Sequence, residues 1–162
     1  MLETFLVYGF VAISLVWLYV KFGPSIGVPV APRVQAFNPT HHWPRIGQFE
    51  FEVVGESFYA SAIASQIPKD ATSDDLMGGV DCVAVLAMDD DNKYDDKAVA
   101  VYIGGLRVGH LSRDDARSFR RRLSINKMPG AVTSCHALIR GADYGDGPNY
   151  GVFLDIKPFQ RG

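Results

Sequence analysis

The stretch from Asp91 to Arg113 constrains the possible fold more than any other part of this sequence. Gly104-Gly105 lies between two runs rich in β-branched residues. Such a connection is typical of a two-residue β-hairpin turn, because both central residues must adopt positive φ. Alternate residues of the first run, 98–103, are small or apolar on both faces of the expected strand. The stretch therefore predicts a hairpin that is covered on both sides, as in a small closed barrel.

Polar residues gather at the two ends of this predicted hairpin. Tyr94 and Asp95 come just before the first strand, whereas His110 and Arg113 follow the return strand. A rigid hairpin holds the start of its first strand near the end of its second strand. We therefore expect these four side chains to lie close together and to form the candidate site.

The N-terminal region contains an uncharged apolar run, residues 4–20. A helix of this length spans about 25 Å, which approaches the thickness of a bilayer core. A cleaved signal peptide and a buried core helix are the alternatives, but the run lacks a basic start, a clear cleavage site and a polar stripe. We predict a transmembrane anchor over residues 1–22 that contacts lipid through residues 4–22. Basic residues follow the span, so the positive-inside rule places the C-terminal domain in the cytoplasm.

A proline-rich stretch follows this run. Residues 23–47 contain five prolines and several glycines, a composition typical of an extended linker. We predict a linker over 23–47, with His41 and His42 solvated, and a folded domain over 48–162. A docking peptide around Trp43 is the alternative for this stretch.

The remaining sequence predicts a mainly β domain with one or two helices, a small β-barrel of the OB or SH3-like kind. A short helix or irregular turn is expected over 58–67 and a polar loop over 68–79. Besides the central hairpin, the pattern of apolar residues predicts four strands, over 49–54, 80–88, 131–141 and 150–156.

A capped helix is predicted after the hairpin. Ser112 is a good N-cap residue, with Asp115 three positions on. An apolar stripe is formed by Ala116, Phe119 and Leu123, and a basic row by Arg113, Arg117 and Arg121. A cation in the first turn, such as Arg113, opposes the helix dipole, and breaking a local rule in this way is a mild indication of function.

Three motifs of this sequence, taken together, resemble the HIRAN family. They are Gly-x-x-Phe-Tyr at 55–59, Asn-x-Tyr-Asp at 92–95 and Val-Gly-His-Leu at 108–111. They occur in the family's order, and the resemblance covers about residues 49–156. It implies an OB-like barrel that binds DNA, notably the 3′ end of a single strand.

The resemblance also implies roles for individual residues. Phe58 would stack on a base, with Tyr59 beside it, and Tyr150 is similar to a late aromatic near the base. The pair that would meet the terminal nucleotide, with the carboxylate accepting a hydrogen bond from the 3′-hydroxyl, is Tyr94 and Asp95. The residues that would contact the phosphate backbone are His110 and Arg113. Ser57 departs from the pattern, because an arginine stands there in the best-known DNA-binding member.

Charge and motif content limit the other function classes. From residue 47 onward 13 Lys and Arg stand against 17 Asp and Glu, so nucleic-acid binding must be local, through His110, Arg113, Arg117 and Arg121. A membrane-anchored module that binds a protein or peptide is the alternative function. The sequence has no evident nucleophile, metal cluster or phosphate loop to accompany Asp95 and His110 as an acid–base pair. We therefore predict no enzymatic activity, no cofactor and no metal.

Overall fold

The structure is a computed structural model that describes residues 34–143 and 148–157. The predicted transmembrane anchor, 1–22, and the predicted linker up to residue 33 lie outside the described residues. Within the two described ranges, no helix combines the length and the apolar character needed to cross a bilayer.

The described chain is mainly β, with a curled antiparallel sheet and three α-helices. The seven strands are β1 (His41–His42), β2 (Phe51–Glu52), β3 (Val80–Met88), β4 (Val99–Ile103), β5 (Leu106–His110), β6 (Thr133–Asp143) and β7 (Pro148–Leu154). The helices are α1 (Ala60–Ala64), α2 (Ser73–Gly78) and α3 (Arg113–Ile125), and a 3-10 turn, Glu56–Tyr59, precedes α1. The prediction of one or two helices is therefore corrected to three.

The sheet has the strand order β2-β7-β6-β3-β4-β5, with β1 added in parallel to β6. Its two edges meet at one point, where Val54, just after β2, forms an antiparallel bridge with His110 of β5. Val54 donates its N–H to the His110 carbonyl at 2.8 Å and accepts the His110 N–H at 3.0 Å. A Cβ on Gly109 would lie 2.7 Å from the Val54 carbonyl oxygen. Only glycine therefore allows the two edges to come this close.

The central hairpin is confirmed. Gly104 and Gly105 have φ of 56° and 79°, as the two-residue turn requires. Every residue of β4 is buried. One face, with Val99 and Val101, belongs to the main core around α3, whereas the other face, with Tyr102, belongs to a smaller apolar cluster.

The chain before residue 48 is part of the fold, so the predicted boundary between linker and domain is wrong within the described residues. Gln35 donates its N–H to the Gly105 carbonyl at 2.8 Å. Phe37 covers the Tyr102 ring at a centroid distance of 4.4 Å. The Trp43 indole N–H donates to Thr133 Oγ1 at 3.0 Å. The two histidines, expected as solvated linker residues, form β1: His41 is partly buried, whereas His42 is exposed and hydrogen bonded to Ser134.

A buried carboxylate fixes the entry of this segment into β2. Asp155 has no exposed surface, and its carboxylate accepts the backbone N–H groups of Ile46 and Gly47 at 2.9 Å and of Gln48 at 3.0 Å. Burial alone would raise the pKa of Asp155, but these backbone donors hold the pKa below its usual value. The carboxylate is therefore ionised at neutral pH and holds residues 46–48 in place.

The structure confirms the predicted helix α3 and contains a helix that was not predicted, α2. Ser112 caps α3 by accepting the Asp115 N–H at 3.2 Å, and the predicted apolar stripe is buried: Ala116, Phe119 and Leu123. The region 68–79, predicted as a loop, contains α2. This helix begins with a complete capping box between Thr72 and Asp75. The first predicted strand, 49–54, is reduced to Phe51–Glu52, whereas β3 has its predicted bounds.

Candidate nucleic-acid interface

The turn between β3 and β4 is built around one asparagine. Asn92 Oδ1 accepts the backbone N–H of Tyr94 at 3.0 Å and of Asp95 at 3.3 Å, which is an Asx turn. Its Nδ2 donates to Asp89 Oδ2 at 3.1 Å. This geometry leaves the Tyr94 side chain in solvent, with the residue 89% exposed. The turn is therefore a fixed support for an exposed aromatic ring.

Asp95 faces the first turns of α3. Its side chain is only 13% exposed, and its carboxylate lies 3.5 Å from Arg113 Nε and 3.2 Å from Arg117 Nη1. A backbone hydrogen bond from Lys97, followed by the charges of the two arginines, lowers the pKa of Asp95. The unfavourable position of Arg113 at the helix N-terminus is thus explained by this partner. Arg113 also donates to the Tyr94 carbonyl at 3.2 Å.

His110 lies in a second polar cluster at the end of β5. Its Nε2 is 3.1 Å from Asp89 Oδ2, which also accepts a hydrogen bond from Arg107 at 3.1 Å. Burial alone would raise the pKa of Asp89, but hydrogen bonds from Asn92 and His110 and the charge of Arg107 lower the pKa overall. The carboxylate partner of His110 is therefore Asp89 and not Asp95, so the acid–base pair weighed from the sequence is not formed.

The 3-10 turn after β2 brings two further aromatics to this cluster. Phe58 is 88% exposed, whereas the Tyr59 ring lies 6.2 Å from the His110 ring, centroid to centroid. The turn is anchored to the sheet because the Glu56 carboxylate accepts the Val152 N–H at 3.3 Å.

The contacts join segments that are far apart in the sequence. On one side of His110, its ring contacts the ring of Tyr59, the chain neighbour of Phe58. On the other side, Asn92 lies 3.5 Å from the His110 ring and is hydrogen bonded to the backbone of Tyr94. No family model, curated protein or solved structure matches the chain. What this site can bind must therefore be inferred from its own side chains.

Tyr150 is the predicted site residue that lies apart. It sits on β7 opposite Gly141 of β6, where a Cβ on that glycine would come within 2.9 Å of the Tyr150 ring. It lines a depression of about 510 Å³ together with Met77 and Phe153. Glu56 also lines this depression, and it begins the 3-10 turn that carries Phe58 and Tyr59.

Three residues of the polar clusters were not predicted from the sequence: Asp89, Asn92 and Arg107. Asn92 belongs to the Asn-x-Tyr-Asp motif, so its motif position was a usable signal. Asp89 directly follows the strand predicted over 80–88, and the sequence does not reveal that His110 and Arg107 face it. Contacts of this kind depend on strand register, which a single sequence does not specify.

Two further classes of reactive group are the potential metal ligands and the thiols of the described residues, of which Cys135 is buried and Cys82 partly buried. In the ranges 34–143 and 148–157, no group of three His, Cys, Asp or Glu side chains is arranged to hold a metal ion. Burial raises the pKa of Cys82 and of Cys135 to about 12, so both are protonated thiols at neutral pH.

Proposed function

We propose that this chain is a HIRAN-type nucleic-acid-binding module that recognises the 3′ end of single-stranded DNA. The observation that carries the proposal is a pair of almost fully exposed aromatic rings, Phe58 and Tyr94, each supported by a rigid turn beside His110. Stacking of bases on such rings contributes about 1–3 kcal/mol per base and tolerates any sequence. Two rings give a single strand two stacking platforms.

The charge around Asp95 suits one phosphate group. Arg113 and Arg117 together carry two positive charges and Asp95 one negative charge, so this group of three retains one positive charge. Both arginines are partly exposed and have guanidinium N–H groups that a phosphate can accept. Binding that depends on so few cations is local and salt-sensitive.

Asp95 provides the means to distinguish a strand end. Its ionised carboxylate accepts three hydrogen bonds, from the Lys97 N–H and Arg117 Nη2 at Oδ1 and from Arg117 Nη1 at Oδ2. Arg113 lies within ion-pair distance of Oδ2, at 3.5 Å, so one lone pair of Oδ2 is left for a closer donor. A 3′-hydroxyl can donate a hydrogen bond to it, whereas a 3′-phosphate brings negative charge against negative charge. A carboxylate in this place therefore favours a free 3′-hydroxyl over a phosphorylated or continuing strand.

The family and architecture are part of the same proposal. The curled sheet would be an OB-like or SH3-like barrel of the HIRAN kind, and the bridge between Val54 and His110 supports its closure. The glycine of the Val-Gly-His motif, Gly109, has the physical role of permitting that bridge. Ser57 supplies no cation, so we expect a lower affinity than an arginine there would give. The module would be held on the cytoplasmic side of a membrane by residues 4–22.

The test is a pair of anisotropy titrations of the purified full chain with a labelled single strand that ends in a 3′-hydroxyl or a 3′-phosphate. We expect the hydroxyl end to bind about tenfold more tightly, which corresponds to about 1.4 kcal/mol for one charge-assisted hydrogen bond. Asp95→Asn should abolish this preference.

The matched control is Asp114→Asn, because it removes one negative charge from the exposed first turn of α3, the helix that Asp95 faces. Both variants gain whatever affinity a less negative surface provides, but only Asp95→Asn should lose the end preference. Equal binding of both ends by the unmodified chain would contradict end recognition. Negligible binding of both would contradict the nucleic-acid function itself.

A further inference from the structure

A second candidate binding surface lies at the opposite end of α3. A groove of about 740 Å³ runs between the N-terminal segment, 41–46, and the C-terminal half of the helix. Its length along α3, from Ser118 to Asn126, is about 12 Å at the usual helical rise. This is room for about two turns of a helix, and the volume is within the usual range for ligand sites.

The floor of this groove is apolar and partly open to solvent. Ile125 is 74% exposed and Ile46 is 40% exposed, and Pro44 and Trp43 are the other apolar residues of the lining. Exposed aliphatic side chains that converge in one concave place are typical of an interaction site. They favour an occupant that brings aliphatic or aromatic side chains of its own.

The rim of the groove carries positive charge. Arg121, Arg122 and Lys157 line it, and none of its lining residues is Asp or Glu. This is unusual in a domain with an excess of acidic residues from position 47 onward. The complementary occupant therefore combines apolar side chains with flanking carboxylates.

Trp43 is a poor stacking platform for a nucleic-acid base. The Arg122 guanidinium lies over its ring at 5.8 Å, the His41 ring meets it edge-on at 4.6 Å, and its N–H is bonded to Thr133. A base would have to displace these partners. The aliphatic floor and the occupied indole favour a peptide over a second stretch of single strand.

The groove is formed before any partner arrives. Its N-terminal wall is held by the pairing of β1 with β6 and by the Asp155 hydrogen bonds to Ile46 and Gly47. Arg122 donates to the Lys157 carbonyl at 2.7 Å, which ties the helix to the segment after β7. A preformed site loses little conformational entropy on binding.

We propose that this groove docks an acidic amphipathic peptide segment of a partner protein, with its apolar side chains on Ile46 and Ile125 and its carboxylates on the Arg121–Lys157 rim. The recognition is of the helix-in-groove type. The groove shares no lining residue with the clusters around Asp95 and His110, and Arg121, which the sequence grouped with Arg113 and Arg117, belongs to the groove. This inference therefore does not depend on the proposed DNA binding.

The test uses the purified full chain and a rhodamine-labelled synthetic peptide of Glu, Leu and Phe, patterned as an amphipathic helix of about three turns. We expect saturable binding in anisotropy titrations. Two companion peptides, with Gln replacing every Glu or Ser replacing every Leu and Phe, should bind at least about fivefold more weakly. Equal binding of all three peptides would overturn the proposal.

Variants of exposed residues locate the binding. Ile125→Ser should weaken peptide binding about tenfold, and Arg121→Gln about threefold at low salt. Matched controls elsewhere on the surface, Val83→Ser and Lys69→Gln, should leave it unchanged. If the controls weaken binding as much as the groove variants, the peptide binds elsewhere and the proposal is wrong.

Two other occupants would also overturn it. An unlabelled single strand that displaces the peptide, and whose own affinity falls in Ile125→Ser, would assign the groove to nucleic acid. A dimer in sedimentation velocity that Ile125→Ser dissociates would assign it to a second copy of the chain.

Discussion

Replacing Asp155 by asparagine tests how the N-terminal segment is held on the sheet. The carboxylate accepts three backbone N–H groups, two at Oδ2 and one at Oδ1. Asparagine keeps one acceptor oxygen, so at best the two donors at Oδ2 remain satisfied and the Gln48 N–H faces an NH2 group. Each retained bond loses its charge assistance, about 1 kcal/mol, and the part-buried Gln48 N–H, left without an acceptor, costs about 1–3 kcal/mol. The free energy of unfolding should therefore fall by about 3–5 kcal/mol.

The loss of stability in Asp155→Asn should become smaller as the pH falls. The pKa of Asp155 is lower in the folded than in the unfolded chain, where the pKa of an aspartate is about 4. Its stabilisation is therefore complete above that value and is lost as the pH falls through the folded pKa. The difference in stability between the natural chain and Asp155→Asn should be full at pH 7 and should shrink below about pH 4.

Urea denaturation followed by Trp43 fluorescence measures both effects, with Trp17→Phe as the common background so that one tryptophan reports. Asp81→Asn is the control, because its ion pair with Arg45 is exposed and should contribute less than about 1 kcal/mol. Equal urea midpoints for the two variants at pH 7 would refute the argument. So would a loss in Asp155→Asn that remains undiminished at pH 3.

Two further predictions concern the sheet edges and the aromatic rings. Gly109→Ala should destabilise the chain by about 2–4 kcal/mol in thermal denaturation, because its Cβ meets a backbone carbonyl. Gly130→Ala, with positive φ but open space, should cost only about 1 kcal/mol, and equal losses would contradict the role assigned to close approach. Phe58→Ser and Tyr94→Ser should leave the melting temperature unchanged but weaken single-strand binding by about 5- to 150-fold each. Val83→Ser also removes an exposed apolar side chain, and this variant should bind the single strand as the natural chain does; a similar weakening there would argue against stacking.

Features that depend on neighbouring residues were predictable from the sequence. The Gly104-Gly105 hairpin and the Ser112 cap each follow from residues a few positions apart, and both are present. The capping box of α2 is equally local, since Thr72 and Asp75 are three positions apart. The polar residues that surround this capping box predict a loop, and α2 is too short to show an apolar stripe of its own.

Features that depend on distant pairing were not predictable. Both faces of β4 were expected to be covered, but nothing local indicates that Phe37 covers one of them. The five prolines of residues 23–47 indicated a linker, whereas tertiary contacts from Gln35 onward override that composition. The approach of Tyr94, Asp95 and His110 was expected from the hairpin, but the Asp89 bridge that connects them depends on long-range register.

The single bridge between Val54 and His110 makes the two edges of the sheet the natural place for local opening. Two hydrogen bonds join them, far fewer than the ladder between β6 and β7. Transient opening of the Val54–His110 bridge would move the 3-10 turn, which carries Phe58, away from the His110 ring. A ligand that contacts both Phe58 and His110 would hold the two sheet edges together. Amide hydrogen exchange at Val54 and His110 should therefore slow when the ligand binds.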